Sequence, residues 1–148
     1  MEKIEKVLAS GNTRATVNRN PDAKRGDFGV YDLKLTAPGV ESLEFVATEP
    51  HPRAEQLFAG AWSACYTTVF GMAAQLKKVT LPSDYSIDLK VNIGQTGAAW
   101  ILGAEFTVRV PGVEPEVVES IAHLAHQICP YSKSVRGNIG VVTNIVTA

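Results

Sequence analysis

At 148 residues the chain is close to the roughly 150 typical of one domain, so a single domain with a core of useful size is expected and a multidomain assembly is not. Lys plus Arg is 14 against 15 Asp plus Glu, a formal charge of −1, which lacks the basic excess that phosphate-backbone binders use and argues against a nucleic-acid partner. Hydrophobic residues at 45% and charged residues at 20% are ordinary globular values, so neither disorder nor a coiled coil is indicated.

The alternating charges of Met1-Glu2-Lys3-Ile4-Glu5-Lys6 lead into no apolar signal core, and a reducing cytoplasm is the expected location. The first third alternates polar and apolar residues in the manner of half-buried strands, over Lys6 to Asn18 and Gly29 to Leu35, with a further β-like piece at Leu43 to Ala47. Pro50 and Pro52 then permit a helix only from about Pro52, and it continues to about Lys78. Between Gln56 and Leu76 it carries no charge. This stretch is long enough to span a bilayer, but its Gln, Ser, Thr and Gly content favours a helix buried in a protein core, with no membrane association. Ser86 to Gln95 and Trp100 to Val110 form a hairpin about Thr96-Gly97-Ala98. A second helix runs from Pro115 to Ile128, with Val117, Ile121, Leu124 and Ile128 on one face, and Pro130 breaks or kinks it. A last strand covers Ile139 to Val146. The order β-β-α-β-β-α-β describes a single α+β domain over residues 1–148.

Two cysteines in a reducing compartment suit free, catalytic or redox-active thiols better than a disulfide framework. Projected at about 100° per residue, Cys65 falls in the middle of a stripe containing Phe58, Trp62, Val69, Met72 and Leu76. The plain reading is a small residue filling a core gap. Burial also raises a thiol pKa, so a reactive Cys65 requires a cation. Lowering its pKa by about two units corresponds to about 2.7 kcal/mol of preference for the anion, within reach of a desolvated arginine. Cys129 ends the second helix, where free carbonyls and the dipole disfavour an anion, so it is expected to stay a thiol. If the two cooperate, Cys65 attacks and Cys129 resolves. His123, His126 and Cys129 invite a metal reading, but His123 and Cys129 are about 120° apart on the helix and both histidines are expected on its polar side, so no metal is expected. There is no phosphate-cradling glycine loop, zincin motif or nucleophile elbow.

Glu55-Gln56-Leu57-Phe58, Ser63-Ala64-Cys65, Ala125-His126-Gln127-Ile128-Cys129-Pro130-Tyr131-Ser132 and Arg136-Gly137-Asn138-Ile139 closely resemble the organic hydroperoxide resistance (Ohr) branch of the OsmC/Ohr family. The resemblance implies an OsmC/Ohr-like fold with a long central helix packed on antiparallel sheets, in an intertwined homodimer. It also implies a peroxidatic Cys65, a resolving Cys129, an activating arginine best matched by Arg19, with Arg14 and Arg25 as alternatives, and a glutamate, Glu55, that pairs with the arginine. His51-Pro52-Arg53-Ala54 and Gly60-Ala61-Trp62 depart from the family wording. Phe58, Trp62, Tyr66, Met72 and Tyr131 are candidates for an apolar substrate pocket, each with a plain core reading beside it. Ten helical residues separate Glu55 from Cys65, about 15 Å of rise, so either the first turn is irregular or the partner subunit supplies Glu55.

The expected activity is reduction of alkyl or fatty-acid hydroperoxides to alcohols through a Cys65 sulfenic acid and a Cys65–Cys129 disulfide. The resemblance implies that dihydrolipoyl groups on a lipoylated protein regenerate the thiols, and no bound cofactor is expected. The alternatives are a non-catalytic binder of an apolar small molecule, a more general OsmC-type peroxidase and, third, a metal-dependent hydrolase.

Overall fold

The computed structural model describes residues 4–17, 30–31, 43–47 and 54–148. Three strands come first, β1 (Lys6–Val17), β2 (Val30–Tyr31) and β3 (Leu43–Ala47), followed by helix α1 (Ala54–Leu76). The hairpin β4 (Ser86–Thr96) and β5 (Ala99–Arg109) leads to helices α2 (Pro115–Ile128) and α3 (Pro130–Val135) and to strand β6 (Gly140–Val146). The expected order therefore gains two elements. Leu43–Ala47 is a full strand that pairs with both β1 and β2, and Pro130 starts a new helix as well as ending the old one. Proline suits a first helical position because the N–H it lacks would have no helical acceptor there. Cys129, which precedes it, is extended at φ −64° and ψ 120°, as residues before proline prefer.

The strands form one sheet in the order β2-β3-β1-β4-β5-β6. Its pairings are antiparallel, as expected, except the last. β6 runs parallel to β5, because the chain crosses back through α2 and α3 before re-entering the sheet, and a parallel return needs a connection of this kind. The β4–β5 hairpin pairs without interruption from Ser86↔Arg109 to Thr96↔Ala99, and Gly97 takes the positive φ that its tight turn requires.

The core lies between this sheet and α1 and α2. Trp62, Tyr66 and Phe70 from α1, Ile87, Leu89 and Val91 from β4, Phe106 and Val108 from β5, and Ile121 from α2 are all completely buried. Phe106 is central: its ring meets Trp62 edge-on at 5.2 Å and Tyr66 at 4.5 Å between centroids. α1 has the length and composition to cross a membrane, with half of its apolar window buried inside the protein. Its buried side chains are those of a helix lying on a sheet.

The buried face of α2 is rotated from the expected one. Val118, Ile121, Ala122 and Ala125 are buried, continuing to Cys129, while Val117 is exposed and Leu124 and Ile128 are only partly covered. Small alanines mark the seam because the helix packs closely there, and a search for large apolar residues passes over them.

Gly94 marks another close approach. A Cβ there would lie 2.5 Å from the Lys6 carbonyl oxygen, where β1 shifts register against β4 between Val7 and Ala9. Gly94→Val is expected to destabilise the protein by about 1–3 kcal/mol through this backbone clash, read as a lower denaturant midpoint at unchanged slope.

Candidate active site

α1 is continuous from Ala54 to Leu76, and Cys65 stands at its middle, half-buried. The helix buries the flank carrying Ala59, Trp62, Tyr66, Val69, Phe70 and Ala73, so Cys65 lies at the edge of that flank. This corrects the centring of the apolar stripe. Met72 and Leu76, expected to share the buried stripe with Cys65, are 50% and 68% exposed.

Cys129 is fully buried and forms the joint between α2 and α3. Its N–H donates to the Ala125 carbonyl at 2.8 Å, closing α2, while its own carbonyl accepts from Lys133 N–H at 3.0 Å, opening α3. It thus belongs to a helix start as well as to the helix end expected for it. This joint packs against α1, and the Cys129 and Cys65 sulfurs come within 3.6 Å of each other. Both are free thiols. Two cysteines 64 residues apart are thereby set face to face.

Burial pushes the Cys65 thiol up to about 11; the adjacent Cys129 sulfur acts in the same direction, and a hydrogen bond from the Tyr131 backbone N–H opposes both. At this value Cys65 is almost wholly protonated at neutral pH. The need for a cation, argued above from burial, is therefore larger than two pKa units. Arg19 and Arg25 lie outside the described residues, and Arg14 lies in β1, in register with Val46 of β3 and Asp88 of β4.

Glu55 occupies the first turn of α1, partly exposed. The regular helix from Ala54 onward removes the irregular-turn option within the described residues, and Glu55 stands about 15 Å of helical rise before Cys65 of the same chain. Among the apolar candidates, Tyr131 reaches Cys65 through its backbone, its own side chain being 43% exposed. Phe58 is partly buried and packs edge-on against Trp62 at 5.8 Å. Trp62 and Tyr66 are wholly buried, and their polar ends are satisfied internally: Trp62 Nε1–H donates to Ser132 Oγ at 3.0 Å, and Tyr66 O–H donates to the Ala122 carbonyl at 3.1 Å. They are core residues, so the expectation that they face a substrate is corrected. Met72 lies on the open side of α1.

The histidines divide. His123 is exposed and pairs with Gln127, whereas His126, expected on the polar side, is partly buried. Its ring lies against Tyr66 at 4.4 Å and Phe106 at 5.0 Å; Nδ1 is 3.1 Å from Ser132 Oγ and Nε2 is 3.0 Å from Thr143 Oγ1. A rotation of the buried face by part of a turn explains the difference, because that face of α2 runs through Ala122 and Ala125, beside His126. No group of three metal-ligating side chains occurs among the described residues. Ser132, Thr143 and the inward aim of His126 are not among the features expected from the sequence. The available signal was the spacing His126, Cys129, Ser132, which puts a polar group one turn to either side of the cysteine.

Burial, reinforced by the positive potential of His123 and Arg136, lowers the His126 pKa to about 4. In the unfolded chain it titrates near 6.5, so the neutral ring's contribution to stability is complete above that pH and is lost as pH falls toward 4. Thermal unfolding followed from pH 7.5 to 4 is expected to show a falling Tm below about 6.5. His126→Gln is expected to give a lower Tm that stays flat across the same window.

The chain is similar to known proteins over most of its length. A family model described as OsmC-like protein matches residues 47–144. An organic hydroperoxide resistance protein of Xanthomonas axonopodis pv. citri is 34% identical over 146 residues, 98% of this chain and 99% of the relative. The organic hydroperoxide resistance protein OhrA of Bacillus subtilis is 27% identical over 116 residues, covering 78% of this chain and 81% of its own length. Among solved structures, an organic hydroperoxide resistance protein from Elizabethkingia anophelis superposes with a TM-score of 0.61 at 31% identity, over 70% of this chain and 74% of that one. With its paired cysteines, long central helix and near full-length match, the chain belongs to the OsmC-like family, in its organic hydroperoxide resistance branch.

Proposed function

We propose that the protein is a cysteine-based peroxidase that reduces organic hydroperoxides, alkyl or fatty-acid, to alcohols. The observation that carries this reading is the 3.6 Å separation of the Cys65 and Cys129 sulfurs, on elements that share no local sequence motif. Cys65 thiolate attacks the distal peroxide oxygen, the O–O bond breaks, and the departing alkoxide takes up a proton as the alcohol. Cys65 is left as a sulfenic acid. Cys129 then attacks the oxidised sulfur, water leaves, and a disulfide forms. A dihydrolipoyl dithiol on a lipoylated protein returns the pair to thiols while closing its own disulfide; this step rests on resemblance to the Ohr branch. A reducing cytoplasm suits a cycle that begins from two free thiols.

Arg19 holds the Cys65 thiolate in this reading, and Glu55 orients Arg19. Since Glu55 and Cys65 of one chain stand about 15 Å apart along α1, the partner subunit of an intertwined homodimer delivers the glutamate. Support comes from the open side of α1. Leu57, Met72 and Leu76 are exposed there along a run without charge, a surface suited to burial against a second copy. An apolar surrounding also favours organic peroxides over hydrogen peroxide, because burial of an alkyl tail adds binding that hydrogen peroxide cannot make.

Rapid mixing of the reduced protein with cumene hydroperoxide and, separately, hydrogen peroxide, followed by a free-thiol count, tests the reading. Fast loss of two thiols with the organic peroxide and slow loss with hydrogen peroxide are expected. Sluggish loss with both would replace the peroxidase by a binding protein for an apolar ligand.

A further inference from the structure

Ser132 and His126 stand three residues to either side of Cys129 in the chain, and their side chains meet: His126 Nδ1 lies 3.1 Å from Ser132 Oγ. Ser132 Oγ also accepts the Trp62 indole N–H at 3.0 Å, and Trp62 is three residues before Cys65 on α1. The far side of the imidazole reaches Thr143 of β6 at 3.0 Å. One chain of hydrogen bonds thus joins α1, α3, α2 and β6, and its two inner members bracket the resolving cysteine. Either tautomer of a neutral imidazole satisfies both ends, since one nitrogen donates and the other accepts. Trp62 is completely buried and Ser132 nearly so, which shields the bond between them from competing water, while the two bonds of His126 are part-buried.

We infer that Ser132 and His126 are positioning residues that hold the Cys129 sulfur within disulfide-forming reach of Cys65, with Trp62 as the anchor on the cysteine's own helix. Neither touches the peroxide. Their work falls on the second half of the cycle, where the joint between α2 and α3 must present Cys129 to an oxidised Cys65. Apolar packing alone would keep the helices together without fixing the rotation of the joint, whereas directional hydrogen bonds on both sides of Cys129 do fix it. The role rests on the two-cysteine cycle proposed above, but the pairing itself can be measured without any peroxide.

The test is equilibration of the full-length protein with mixtures of reduced and oxidised glutathione. Two protein thiols become one disulfide as one oxidised glutathione becomes two reduced molecules, so the equilibrium reports the effective concentration of Cys129 at Cys65. Ser132→Ala is expected to lower that value about tenfold, the equivalent of one buried hydrogen bond. Thr143→Val, nearly isosteric and at the outer end of the chain, is expected to lower it about threefold. Alkylation of Cys65 in the reduced proteins should stay within about twofold of wild type, since the inference places the effect on pairing. Ile87→Ala, a core change on β4, is the control for general loosening: it should lower Tm while leaving the effective concentration unchanged. The inference is overturned if Ser132→Ala and Thr143→Val pair their cysteines as well as wild type, or if Ile87→Ala weakens pairing as much as they do. Should Ser132→Ala fail to fold, Thr143→Val against Ile87→Ala decides alone. A weakened glutathione equilibrium in a protein that proves inert toward hydroperoxides would retain the positioning role and remove the peroxidase.

Discussion

Cys65→Ser is expected to lower the rate of organic hydroperoxide consumption at least about 10³-fold, because a serine hydroxyl is neither ionised near neutral pH nor able to take up the peroxide oxygen as a thiolate does in becoming a sulfenic acid. The substitution is close to isosteric at a half-buried position, so Tm should change little and loss of activity should not reflect loss of fold. The companion Cys129→Ser separates the two halves of the cycle. It is expected to consume one equivalent of hydroperoxide at near wild-type rate, then stall with a sulfenic acid that a dimedone probe captures and excess peroxide drives to sulfinic acid. Stopped-flow consumption with mass analysis of Cys65 reads both outcomes. Wild-type turnover in Cys65→Ser would remove this cysteine from the chemistry.

Arg19→Ala is expected to produce the second large effect, and its pH dependence carries the physical content. Burial and the neighbouring Cys129 push the Cys65 thiol up to about 11, and the variant lacks the cation proposed to oppose them. At pH 7 that leaves about one thiol in 10⁴ as thiolate. The reactive form is the deprotonated one, so the variant's rate should rise about tenfold per pH unit up to about 11, while the wild-type rate levels off far lower. At pH 7 the expected deficit is about 10³- to 10⁴-fold, shrinking steadily as the solution is made more alkaline. The same substitution at Arg14 and Arg25 should leave the rate within a few-fold. A flat deficit at every pH would mean that Arg19 contacts the peroxide without ionising the thiol, and a full-rate Arg19→Ala would pass the activating role to whichever of the other two arginines shows the alkaline rise.

Much of the secondary structure was legible in the chain because it rests on local signals. The period-two alternation that marks Ser86–Thr96 and Ala99–Arg109, the glycine turn between them, and Pro115 at the start of α2 each act over a few residues. The errors arose where packing decides. Met72 and Leu76 lie within about 20° of Cys65 on α1, yet the sheet covers a different arc of the helix and leaves both exposed. On α2 the seam runs through Ala122 and Ala125, so His126 turns inward beside Phe106 and Val117 turns out. Periodicity shows that a helix has an apolar side, but shape decides which few tens of degrees of it are covered.

The candidate site follows the same division. Residue types and motif wording single out Cys65 and Cys129, and helical rise sets Glu55 far from Cys65 within one chain wherever the helix between them is continuous. The sequence by itself therefore determined which groups could carry the chemistry, because nucleophilicity, charge and helical rise are properties of residues and their spacing. Only the tertiary structure decided that the two sulfurs meet at 3.6 Å, that burial raises the Cys65 pKa toward 11, and that Trp62, Ser132, His126 and Thr143 form one hydrogen-bonded chain around Cys129. Those facts depend on long-range docking of α2 and α3 against α1 and β6, where desolvation and hydrogen-bond direction are set by atoms far apart in the chain.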